Sequence, residues 1–150
     1  MSPIKRAQVV VLLVVVAALL PATAIAKPWY NPTLKASTRL TPTETSDEPK
    51  ASGQATVLAE WVYFEFGMGW YVGDVTVTCR GLTPGASYRI IATSDTFGEA
   101  DIGGFTAGAR GGGTANGDVA FWGTLGVTVA REERQPDGSV QLIPVLEGVL

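Results

Sequence analysis

The chain has 150 residues, with 11 basic against 14 acidic side chains, a net charge of −3, one cysteine and no histidine. The missing histidine excludes Ser-His-Asp and Cys-His mechanisms and His-containing zinc sites, and a single cysteine excludes thiolate zinc clusters. Its charges are dispersed and form no basic stripe, so nucleic acid is not an expected partner, nor is an anionic membrane surface.

Residues 1–26 read as a signal peptide. Lys5-Arg6 form a basic start, Val9 to Leu20 are almost uninterruptedly apolar, Pro21 breaks the run, and Ala24-Ile25-Ala26 is a small-x-small cleavage pattern. An apolar run of about a dozen residues falls short of the ~20 that cross a bilayer core. No cysteine stands beside the cleavage pattern, so a lipid anchor is not indicated. Removal of this segment leaves nine basic and fourteen acidic residues, a net charge of −5. The expectation is a secreted or cell-envelope protein with no stable membrane span after cleavage.

Residues 27–53 shift to Pro, Thr, Ser and charge, as in Thr41-Pro42-Thr43-Glu44-Thr45-Ser46-Asp47-Glu48-Pro49. Such a composition buries little apolar surface, and the segment is expected to be a disordered arm or linker. Trp29, Tyr30 and Leu34 are its exceptions and could dock on the domain.

From residue 54 to 150 the pattern is all-β. Period-2 alternation and β-forming residues mark seven strands, at 55–66, 70–80, 88–94, 102–107, 117–122, 126–132 and 140–150. Gly67-Met68-Gly69 and Gln135-Pro136-Asp137-Gly138 read as hairpin turns, and Gly111-Gly112-Gly113 as a flexible loop. That glycine run lacks the Lys-Ser/Thr ending of a phosphate loop, and no helix follows it. Pro144 predicts that the last strand lies at an edge or is kinked. Turns at this cadence suit an antiparallel β-sandwich.

Cys79 shares one face of its strand with Val75 and Val77, which reads as a small buried thiol on the core side. The alternative is an exposed thiol linking two chains in a dimer. Asp95 to Asp101 is the densest acidic stretch, expected as a loop. Its spacing departs from a calcium-binding loop, and a polar turn explains it as well. Glu60 and Glu65 lie on opposite faces of their strand and lack any motif of a carboxylate hydrolase.

Leu82-Thr83-Pro84-Gly85-Ala86-Ser87-Tyr88 joins two of these strands. Pro84 and Gly85 supply the turn, and the Tyr88 hydroxyl is placed to bond back to the turn backbone. This Leu-x-Pro-Gly-x-x-Tyr pattern resembles the tyrosine corner of fibronectin type III and related immunoglobulin-like modules. The resemblance implies an immunoglobulin-like β-sandwich and a role in binding or spacing at cell surfaces. Ile90 stands where an antibody-type domain would carry its second disulfide cysteine.

Aromatic residues concentrate in the first hairpin. Trp61 and Tyr63 share one face, Val62, Phe64 and Phe66 the other, and Trp70 and Tyr71 follow the turn. Large rings of this kind fill a disulfide-free core, or they stand exposed as a binding platform. The functional expectation is a non-catalytic module, without cofactor or metal, for protein interaction or surface structure. The alternative is a carbohydrate-binding module using Trp61, Tyr63, Trp70 and Tyr71.

Overall fold

The structure, a computed structural model, describes residues 32–150. The expected signal peptide, its expected cleavage pattern, and Trp29 and Tyr30 lie outside the described residues. No helix among the described residues is long and apolar enough to cross a membrane.

Among the described residues the fold is all-β and antiparallel, with eight strands: β1 (Thr33–Pro42), β2 (Ser52–Tyr63), β3 (Gly69–Arg80), β4 (Ser87–Ser94), β5 (Gly98–Thr106), β6 (Gly113–Phe121), β7 (Leu125–Arg134) and β8 (Val140–Val149). Their order is β5-β4-β7-β8-β1-β2-β3-β6. One half is β1-β2-β3-β6 and the other β5-β4-β7-β8, joined by a short pairing of Thr41 with Glu147 and Pro42 with Leu146. The chain passes between the halves at β3–β4, β5–β6 and β6–β7, a Greek-key wiring.

The strand count corrects the seven expected, and the additional strand comes from the supposed arm. β1 pairs with β2 from Thr33↔Glu60 to Leu40↔Gly53. Its inward positions are Leu34, Ala36, Thr38 and Leu40, and Leu40 is fully buried. Small inward residues dilute the apolar signal of the stretch while leaving its period of two intact. The acidic stretch is also corrected: β5 begins at Gly98, so Glu99 and Asp101 lie in a strand, and Asp101 accepts from Arg89 at 2.6 and 2.8 Å.

β5 and β6 are the two ends of the sheet, and they close it almost to a barrel without forming a ladder. Glycine makes the approach. A Cβ on Gly117 would lie 1.9 Å from the Ile102 carbonyl oxygen, and one on Gly113 2.0 Å from the Phe105 ring. Pro144 lies where the β7–β8 register shifts, opposite Ala130, so the missing donor falls at a bulge.

The interior is filled by Val57, Val75, Val77, Ile90, Val127, Val129, Val145 and Leu146, all at most 1% exposed. Cys79 joins this core. Burial pushes its thiol up to about 12 from 9.0, so it stays protonated at neutral pH. A dimer linked through Cys79 would need β3 to be displaced from the core.

Alternating strand directions sort the turns to two ends. Turns 43–51, 81–86, 107–112 and 135–139 make a polar end. Turns 64–68, 95–97 and 122–124 make the other, which carries the aromatic residues.

Candidate functional site at the aromatic end

β2 and β3 run in register from Ser52↔Arg80 to Tyr63↔Gly69 and carry their hairpin beyond the sheet body. The tip is a 3-10 turn, Glu65–Gly67, closed by the Phe64 amide donating to the Met68 carbonyl at 2.6 Å. Phe66 occupies the left-handed region (φ 64, ψ 23), alone among the described non-glycine residues. A Cβ there costs roughly 1–2 kcal/mol. Its side chain is 92% exposed, so packing does not repay that strain.

Four sequence-designated residues come together here, in two different ways. Trp61 and Tyr71 are half-buried cross-strand partners on the inward side, with ring centroids 5.0 Å apart at 77°. Tyr71 stacks in turn on the buried Phe121 at 5.5 Å, and Tyr63 meets Trp61 edge-on at 6.2 Å. Trp61 and Tyr71 therefore continue the core outward, while Tyr63 packs on Trp61 and stays 45% exposed. Trp70 lies under Phe64, at 3.6 Å and 37°, and takes an edge contact from Phe97 at 5.3 Å. That contact ties the β2–β3 hairpin to the β4–β5 turn.

Beside Tyr63, the exposed side chains at this end are others: Phe64, Phe66, Met68, Phe97 and Trp122 stand out of the surface, with Val62 and Val72 exposed on the outer face below them. Trp122 comes from the β6–β7 turn and Phe97 from the β4–β5 turn. Sequence density pointed to the hairpin, and it did not show that Phe97 of a distant turn packs on Trp70, or that Trp122 lies at the same end of the sheet. Phe66 and Met68 beside Gly67 were the available signal, because a turn tip has no core side.

The electrostatics of this end are one-sided. Residues 60–72, 94–100 and 119–126 contain no Lys or Arg, while Glu60, Asp95 and Glu99 are exposed there. The chain's arginine networks lie elsewhere. Arg131 binds Asp47 through two bonds at 2.9 and 3.0 Å, Glu48 at 3.2 Å and Glu133 at 2.6 Å. Glu48 Oε1 also accepts from the Thr83 amide, the Thr83 hydroxyl and the Tyr88 hydroxyl. The Tyr88 hydroxyl accepts in turn from the Thr83 amide at 3.0 Å, so the corner bonds back to its own turn. This network is a structural tie between the β1–β2 turn, the β3–β4 corner and β7.

Facing carboxylates occur at Asp74 and Asp118, paired across β3 and β6 on the outer face. A hydrogen bond with Asp118, with burial and their mutual repulsion, raises the Asp74 carboxyl above 3.8. Among the described residues, no three His, Cys, Asp or Glu side chains gather in a way that could hold a metal ion.

The sequence matches no protein-family model, and it matches no curated protein.

Proposed function

We propose that the protein is an exported, non-catalytic module of the cell surface or envelope that docks a partner protein through its aromatic end. The observation that carries this reading is Phe66, 92% exposed on a left-handed backbone at the tip of the longest hairpin. Strain held at a site with no packing return is characteristic of positions kept for function. Around it, Phe64, Met68, Phe97 and Trp122 supply large apolar surface from three separate turns. Burying one such side chain contributes roughly 1.5–3 kcal/mol.

The acidic surround defines the partner. An apolar pocket rimmed by Lys or Arg complements this end, whereas a second copy of it would bring like charges together. The immunoglobulin-like part of the reading is supported by the Tyr88–Thr83 corner. The strand order supports the broader description, an antiparallel eight-stranded wrap.

A carbohydrate-binding role is the second reading, favoured by the 61% exposure of Trp122. Sugar platforms use open ring faces, and here Trp61, Tyr63 and Tyr71 pack edge to face on one another while Trp70 is covered by Phe64 and Phe97. Binding of the purified chain to the surface of its producing cells tests the docking role. Loss of binding with Phe66→Ser, and its weakening by salt, support a protein partner with a basic rim. Loss on glycosidase treatment of the cells, with protease without effect, would replace it by the sugar reading.

A further inference from the structure

An open depression of about 510 Å³ lies on the outer face of β1, β2 and β3, well away from the aromatic rings. Its volume is within the roughly 300–1,000 Å³ of small-molecule sites. The polar side chains lining it are Ser37, Arg39, Ser52, Gln54, Thr78 and Arg80. Alternation explains why they gather. Val75, Val77 and Cys79 point to the core, so Thr78 and Arg80 point out, and Ala55 and Leu40 do the same for Gln54 and Arg39.

The register sets the spacing of the two guanidinium groups. Arg39 pairs with Gln54, Gln54 pairs with Thr78, and Arg80 is two residues further along β3. Two strand spacings and two residue rises put their Cα atoms about 12 Å apart, across the depression. Arg80 donates from Nε to Ser52 Oγ at 3.0 Å, which fixes the side chain and leaves its terminal nitrogens free to bind. Neither arginine meets a carboxylate among the described residues, and no Asp or Glu lines the depression. Arg89 and Arg131, in contrast, are tied to carboxylates.

We infer that this depression is a binding site for an acidic saccharide, a sugar bearing carboxylate or sulfate. Two guanidinium forks on one open surface of an otherwise acidic protein select an oxyanion. The hydroxyl and amide groups between them both donate and accept, as a polyhydroxylated ligand requires. No aromatic side chain lines the depression, so a nucleotide would find nothing to stack its base on.

Calorimetric titration of the full chain tests the site with four probes: a galacturonate trisaccharide, a sulfated disaccharide, a neutral galactose trisaccharide and inorganic sulfate. The acidic sugars are expected to bind, and the neutral one not to. Inorganic sulfate should bind at least about tenfold more weakly than the acidic sugars. Arg39→Gln with Arg80→Gln should weaken binding at least about tenfold, with circular dichroism showing the fold retained. Arg39→Lys should recover part of the loss, because charge returns without the fork. Phe66→Ser should bind like the parent, which separates this site from the aromatic end. Equal binding of neutral and acidic sugars, sulfate binding as tightly as the sugars, an unaffected double variant, or no binding of either acidic sugar would overturn the assignment.

Discussion

The Tyr88 hydroxyl donates to Glu48 Oε1 at 2.7 Å while accepting from the Thr83 amide at 3.0 Å. One phenol thus closes the β3–β4 corner on itself and ties it to a carboxylate 40 residues earlier. Tyr88→Phe should cost about 1–3 kcal/mol, because the buried Glu48 loses a donor and the Thr83 amide an acceptor. Burial, with the Glu48 hydrogen bond, pushes the Tyr88 phenol from 10.0 to about 12. The unfolded phenol therefore ionises first as pH rises, so stability should fall between about pH 10 and pH 12. Urea titrations of parent and variant at pH 7 and pH 11 check both statements, and the Tyr88-specific fall should be absent from the variant.

Arg131 should matter more than Tyr88. Its side chain is 12% exposed and that of Glu48 6%, and Arg131 also binds Asp47 and Glu133. Arg131→Gln leaves the Glu48 carboxylate buried without its cation, which should cost about 3 kcal/mol. Glu48→Gln with Arg131→Gln should be less damaging than the sum of the two single changes. A double-mutant cycle in urea measures that coupling, and additivity would deny it.

Asp74 and Asp118 predict a gain instead. The Asp74 carboxyl is raised above 3.8 in the folded chain, so the native state holds its proton more tightly than the unfolded one. Stability from this pair is therefore lost as pH rises through the carboxylate range. Asp118→Asn should raise Tm at pH 7, and the gain should shrink as pH falls towards 4. Thermal melts at the two pH values suffice, and an equal gain at both would remove the carboxylate pair as its cause.

The seam between β5 and β6 rests on glycine. At Gly117 a Cβ would strike the Ile102 backbone at 1.9 Å, which no side-chain rotation relieves. Gly117→Ala should lower Tm sharply and speed amide exchange in β5 and β6 relative to β2 and β3. Uniform exchange across all strands would show that the seam does not open separately.

The sequence made the existence of the strands after residue 54 legible, because β2, β3 and β4 alternate with a period of two between glycine or proline turns. The bounds of β5 and β6 were not legible, since β5 alternates weakly. Pro144, which lacks a backbone donor, was legible as the mark of an edge or a kink, and it falls at the β7–β8 register shift. β1 was not legible, since Ala36 and Thr38 are too small to raise its apolar content, and its strand character is settled by pairing with β2. Nothing local distinguishes Glu48 from its charged neighbours; its burial depends on Tyr88, Thr83 and Arg131 arriving from elsewhere. At the aromatic end, Trp61, Tyr63, Trp70 and Tyr71 stood out by density, yet Phe97 reaches Trp70, and Trp122 reaches the same end, only through the wiring of the sheet. Exposure was the property that alternation could not assign there, because the hairpin tip extends past the core.

Under the proposed function, the exposed rings of Phe66 and Trp122 are kept for binding and are not needed for folding. Phe66→Ser combined with Trp122→Ser tests it most directly, with thermal stability and binding to the producing cells measured on the same preparation. The account predicts an unchanged or higher Tm, since Phe66 and Trp122 are 92% and 61% exposed, together with loss of binding. A lower Tm with binding retained would contradict it.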